Sequence, residues 1–298
     1  MTKSKRVIFF GTEDFSLPSL EALLEHDYDV VAVVTKPDSA RGRSRRLVEP
    51  AVKCLAKSYG ITVFQPARLA DIDDELAELK ADIGVLVSYG KILPDRTLKL
   101  FGRFGIVNLH PSLLPKYRGP SPIETAIKND DAETGVSLIK LTRDMDAGPI
   151  YDQTTVKLTG SETKPELYDR LARLGAERLV ACLPAILDGQ LEAKPQSNQA
   201  VTYTTLLSKD MAEIDPSTDN AYAIERQVRA YLGFPKTKLK LENNVVIITS
   251  AKVVDKAIDD QLVLDCADQT YLLIEQLVAP SGKSMTGQAY RRGYQIGR

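Results

Sequence analysis

The 298-residue chain is predicted to be an α/β protein in which a doubly wound sheet domain precedes a smaller all-β domain. Three observations carry this prediction. Short β-branched runs alternate with amphipathic helical patterns through roughly the first 145 residues, as a parallel sheet with crossover helices requires. Residues 189–207 then lose all periodicity, stay polar and contain Pro195, which marks a linker. Beyond them short strands recur at the spacing of a small barrel or sandwich. The expected division is 1–188, linker 189–207, and 208–298, with no internal repeat or low-complexity segment.

Taken in order, the first strand is RVIFFG, followed by a helix over FSLPSLEALLEH with Leu17, Leu20 and Leu24 on one face. DVVAVVT gives the second strand, PAVKCLAKSYG a helix and ITVF a short strand. ADIGVLVSYG, FGIVNLH, GVSLIKL and IYDQTTVKL follow as strands, and KPELYDRLARLGAERLVACLPAIL as a long helix. In the second domain NAYAIERQVRAYL reads as a helix, and KTKLKL, VVIITSAKVV, QLVLDCA and TYLLIEQLV read as strands.

Composition excludes several classes. An apolar share of 43%, a charged share of 27% and a net charge of −1 are those of an ordinary globular protein without global attraction to polyanions. Any such binding must come from local clustering. MTKSKRVIFF runs into a strand without the core of a signal peptide, and no apolar run approaches the roughly 18 residues of a membrane span, so a cytoplasmic protein is expected. Cys54, Cys182 and Cys266 form no CxxC pair; they are read as buried or inert thiols, and no metal site is suggested.

The chain has two histidines. His26 ends a helix, where the negative end of the dipole favours it. His110 lies two residues after Asn108, so both side chains share one strand face, and Pro111 ends the ladder just beyond. Both therefore sit at the carboxyl end of a strand, the edge where α/β folds bind ligands. Asp146, in the loop DMDAGPI, has two readings: a turn aspartate bonding its own backbone, or the carboxylate that orients an imidazole. Spacing alone leaves both open.

NLHPSLLPKYRGPSPI together with MDAGPI resembles the folate-dependent formyltransferases. The resemblance extends in order through IFFGTEDFSLPSLEALL, VVTKPDSARGRSRRLVEPAVK, ADIGVLVSYGKILP, AETGVSLIKL, AEIDP and VAPSGKSM, nearly the whole chain. It departs at Tyr117, where Trp is common, and at Pro111, which replaces a frequent Gly. The resemblance implies a Rossmann-like catalytic domain, an OB-like C-terminal barrel and 10-formyltetrahydrofolate as formyl donor, with no metal. It implies that Asn108 and His110 stabilise an oxyanion and that Asp146 pairs with His110 and helps move protons through water. Ser112, Leu113, Leu114 and Pro115 match the folate-contacting stretch, and VSYGKILP with the loop after Asp146 would wall the pterin pocket.

The acceptor is addressed by charge. KPDSARGRSRR, residues 36–46, carries five positive charges and one negative. By itself it is a solvated loop; in the tRNA-acting branch of the family a basic loop here enters the acceptor stem. Arg41, Arg43, Arg45 and Arg46 would then neutralise phosphates and stack on bases, with Gly42 allowing close approach. In KTKLKL, Lys236, Lys238 and Lys240 would face solvent and Thr237, Leu239 and Leu241 the interior. Residues 208–298 hold 12 basic and 12 acidic side chains, so this is a local stripe on a neutral domain: a lysine-protected edge strand, or a track for tRNA phosphates. The acceptor implied is the amino group of methionyl-initiator tRNA, bound by a monomer. The alternatives are an amino sugar nucleotide as acceptor and a folate- or RNA-binding module without turnover.

Overall fold

A computed structural model describes residues 5–41, 46–242 and 244–294. In chain order it contains β1 (Arg6–Gly11), α1 (Leu17–Glu25), β2 (Asp29–Val34), β3 (Ser39–Arg41), β4 (Arg46–Val48), α2 (Ala51–Ser58), β5 (Thr62–Phe64), α3 (Asp73–Glu78), β6 (Ile83–Val87), α4 (Asp95–Lys99) and β7 (Ile106–His110). There follow α5 (Pro122–Lys128), β8 (Glu133–Lys140), β9 (Ile150–Lys157), α6 (Lys164–Leu187), α7 (Ala221–Ala230), β10 (Thr237–Leu241), β11 (Asn244–Val254), β12 (Val263–Cys266), β13 (Thr270–Val278), β14 (Ser284–Thr286) and α8 (Gly287–Tyr294). No described helix is long and apolar enough to cross a membrane.

The chain divides into two compact units. The first comprises Met1–Gly119, Thr134–Val156 and Tyr168–Tyr203; the second comprises Pro120–Glu133, Lys157–Leu167 and Thr204–Arg298. The main sheet has the order β5-β2-β1-β6-β7-β8-β9. β2, β1, β6 and β7 run parallel, and β8 joins β7 antiparallel. Strand order reverses beside β1, the hallmark of a doubly wound fold. Central position explains composition: Val7, Ile8, Phe9 and Phe10 of β1 are all buried, because a parallel strand is covered on both faces and cannot alternate. Each such side chain contributes roughly 1.5–3 kcal/mol by leaving water.

Helix α1 buries Ser19, Leu20 and Leu23, while Leu17 and Leu24 are half-buried. The buried stripe is thus centred on an i, i+3 pair, one step around from the expected Leu17, Leu20 and Leu24. Cys54 is exposed on α2, unlike buried Cys182 and Cys266. Helix α6 is anchored where the Tyr168 hydroxyl accepts the Phe15 amide at 2.7 Å and the two rings meet edge to face.

In the second unit β10-β11-β13-β12 form an antiparallel sheet, with β14 on β13, curled into a half-barrel. α7 presents Ala221, Ile224 and Val228 at helical spacing to Val246, Ile248, Leu272 and Ile274, and Tyr290 of α8 completes the core. The start of α7 is fixed by Asn220, whose side chain accepts the Ala223 amide at 2.9 Å.

Candidate active site and nucleic-acid contacts

β7 is buried along its whole length, including Asn108 and His110 at 5% exposure each. Buried polar groups need partners. His110 Nε2 lies 2.9 Å from the Tyr117 carbonyl, and Nδ1 lies 3.7 Å from Asp146 Oδ2. The first is a hydrogen bond. The second is too long for one but close enough for charge attraction. Both ring nitrogens therefore face oxygen atoms. Asn108 Nδ2 donates to Asp146 Oδ1 at 3.5 Å, the outer limit of such a bond, and the amide carries a second hydrogen.

The loop between β8 and β9 delivers Asp146. Its carboxylate accepts the Gly119 amide at 2.8 Å, a charge-assisted bond that contributes about 1.5–3 kcal/mol. Asp146 itself has φ of +48°, a left-handed conformation that Asp tolerates better than most residues. The loop closes against β8 at Gly148, where a Cβ would overlap the Lys140 carbonyl oxygen. The structure thus brings Asn108, His110 and Asp146 together, although 36 residues separate the last two in sequence.

Of the 112–115 stretch, Ser112 and Leu114 are buried, and Leu113 and Pro115 keep some surface. The Ser112 hydroxyl donates to the Lys116 carbonyl at 2.6 Å, so its side chain shapes the turn. The Leu114 amide donates to Ser137 Oγ and its carbonyl accepts from Gln153, tying the turn to β8 and β9. In the segment after β6, Tyr89 is fully buried and burial pushes its phenol up to about 12, while Ile92 is 87% exposed. Met145, beside Asp146, is 60% exposed.

Gln196 and Thr202, unremarked in the sequence because they lie in the expected linker, hydrogen-bond to the neighbours of His110 and Asp146. Their signal was faint: polar side chains spaced for backbone hydrogen bonds leave no hydrophobic period.

Gly42, Arg43 and Arg45 lie outside the described residues, as do the side chains of Arg41 and Arg46; the backbones of Arg41 and Arg46 pair where β3 meets β4. Asp38, the single acid of that run, is engaged elsewhere. Gln65 and then Lys53 hydrogen-bond its carboxylate and hold it below the ordinary carboxyl range. In the second unit Lys236 and Lys240 are exposed and Lys238 half-buried, with Thr237 and Leu239 inside. Lys236 precedes β10 rather than joining it. Among the described residues none of these lysines forms an ion pair. The free edge of β10 is partly covered, since the Ile214 amide donates to the Lys238 carbonyl at 3.1 Å, so edge protection accounts for less of the stripe.

Similarity to known proteins agrees with this layout. The formyl transferase profile matches residues 5–183, and that of the formyl transferase C-terminal domain matches 206–295. The methionyl-tRNA formyltransferase of Halorhodospira halophila is 42% identical over 248 residues, 83% of this chain and 79% of that one. That of Pseudomonas putida is 37% identical over 292 residues, 94% and 93% of the two chains. The N-formyltransferase from Helicobacter canadensis, solved with folinic acid and dTDP-3-aminofucose, has a TM-score of 0.71 at 21% identity, covering 91% of this chain and 99% of that one. At that identity the likeness speaks for the fold. With both halves matched and relatives aligned across most of its length, the chain belongs to the formyl transferase family.

Proposed function

We propose that this protein transfers a formyl group from 10-formyltetrahydrofolate to the amino group of methionyl-initiator tRNA. The observation that carries the chemistry is the convergence of amide, imidazole and carboxylate at the end of β7. An amine attacking a formyl carbon generates an oxyanion and must lose a proton. Asn108 offers its second amide hydrogen to that oxyanion, and His110 offers Nδ1–H, the ring hydrogen not committed to Tyr117. Well-placed donors of this kind contribute roughly 3–4 kcal/mol in other enzymes. Asp146 stabilises the charged imidazole and accepts the proton of the amine through water; His110 returns a proton to the departing nitrogen as the C–N bond breaks. No covalent enzyme intermediate is needed.

Exposed apolar side chains on the segments expected to form the pterin pocket support a flat heteroaromatic donor. Ile92 and Met145 leave large apolar side chains in solvent on the two segments expected to wall it, and the 112–115 turn supplies Leu113 and Pro115. The similarity to methionyl-tRNA formyltransferases over most of the chain supports tRNA rather than a sugar as acceptor. So does the basic run 36–46, whose single acid is already paired. Arg41, Arg43, Arg45 and Arg46 would meet the acceptor end, with Lys236, Lys238 and Lys240 on phosphates. The reading carries with it a cytoplasmic monomer, checked by sedimentation of the purified protein. The decisive experiment measures labelled formyl transfer to charged initiator tRNA beside uncharged tRNA and amino sugar nucleotides. Transfer to the charged tRNA alone is expected; transfer to the sugar alone, or binding without turnover, would replace the reading.

A further inference from the structure

We infer that Gln196, seconded by Thr202, is a positioning residue that sets the imidazole and carboxylate of the active site; the inference rests on the formyl-transfer reading. The two groups facing His110 come from residues with left-handed backbone, Asp146 at φ +48° and Tyr117 at φ +62°. That conformation costs a non-glycine residue about 1–2 kcal/mol and is unusual for a bulky aromatic. Such strain persists only where surroundings over-determine it. Here those surroundings include one strap, residues 194–203, that bonds to both segments.

Gln196 Nε2 donates to the Asp146 carbonyl at 2.6 Å and to the Gly148 carbonyl at 2.8 Å. Its Oε1 accepts from Arg118 Nε at 3.1 Å and Nη2 at 2.7 Å. A guanidinium on one side and two carbonyls on the other fix the amide in a single orientation, since only oxygen can face the first and only NH2 the second. Thr202 Oγ1 accepts the Tyr117 amide at 2.8 Å, and its carbonyl accepts the Arg118 amide at 2.9 Å. The strap is itself fastened to β9 by reciprocal bonds between Lys194 and Ile150 at 2.7 and 2.8 Å. One side-chain amide thus fixes the backbone that aims the carboxylate at Nδ1. One hydroxyl fixes the backbone that offers a carbonyl to Nε2. Both act through those two residues.

Gln196→Leu keeps the bulk and removes every donor and acceptor. It should lower kcat about ten- to a hundredfold, as a displaced catalytic group does, with both KM values changed less than about threefold. In an Asp146→Ala background the same change should cost nothing further, because its action runs through the missing carboxylate. A loss that multiplies in full in that background, or one confined to KM, overturns the inference. A second readout needs no turnover. With only two histidines, nitrogen-15 labelling of the imidazoles gives His110 and an internal reference, His26, whose Nδ1 contacts the Ala22 carbonyl. The His110 ring resonances should move in Gln196→Leu and in Thr202→Val while those of His26 stay. Unmoved His110 resonances in the folded variants sink the proposal, and Thr202→Val decides alone if Gln196→Leu fails to fold. Should the parent protein transfer no formyl group, the functional reading falls while the imidazole spectra still decide on the strap.

Discussion

The imidazole site of the first unit and the lysine strand of the second are built on opposite principles. Around His110 nearly everything is buried, each polar group has a partner, and two residues sit in a strained backbone region. Along β10 Lys240 is exposed and Lys238 half-buried, Lys236 stands exposed just before the strand, and none has a counter-ion among the described residues. Bond rearrangement at one carbon needs donors fixed to a fraction of an ångström. Attraction to a polyanion, the role proposed for these lysines, needs only charge density.

This contrast is broken or sharpened by substitution, beginning with the largest effect. His110→Ala and Asp146→Ala should each lower kcat by about 10²- to 10⁴-fold with little change in donor affinity, measured by steady-state kinetics and folate titration. Equal losses in binding and turnover would mean that the pair holds the substrate rather than the reaction. Replacing Lys236, Lys238 and Lys240 by Ala should leave kcat at saturating tRNA alone. It should reduce the slope of log affinity against log salt by about two to three, from three lost phosphate contacts. An unchanged slope would reduce the stripe to a solubility device.

Smaller effects test the scaffold of the second unit. Asn220→Ala removes the cap of α7 and should cost about 0.5–2 kcal/mol in chemical denaturation without altering the salt slope. A changed slope would show that helix order, and not lysine charge alone, sets tRNA affinity. The smallest change concerns Glu124 on α5, whose carboxyl is raised by burial, against partial relief from its own backbone amide and from Lys164. The folded state holds this proton more tightly than the unfolded chain. Its contribution therefore opposes folding above the ordinary carboxyl value and vanishes below it. Glu124→Gln should raise the denaturation midpoint at neutral pH and leave it unchanged below about pH 4.

The sheet was legible in sequence because buried parallel strands leave uninterrupted apolar runs such as VIFF and VVAVV. Period 2 on β7 paired Asn108 with His110 correctly. Their meeting with Asp146 was not legible from spacing, since a loop's path depends on distant hydrogen bonds; only the family resemblance pointed to it. Residues 189–207 illustrate the opposite limit. They look like a spacer because hydrophobic periodicity reports burial of apolar faces, whereas 194–203 engages through one amide, one hydroxyl and its backbone. On α1 the expected face holds Leu20 at its centre, while Leu17 opens the helix and Leu24 stands on the flank of a buried stripe that runs through Leu20 and Leu23.

Gly148 gives the site a point of mechanical vulnerability. No side chain fits there, since the first carbon would occupy the oxygen of Lys140. A lone methyl at that position would act as a wedge, lifting the hinge of the loop and swinging the acid away from its ring. Screens for inactive variants should therefore recover position 148 among their hits, with every reacting group still present and merely out of reach.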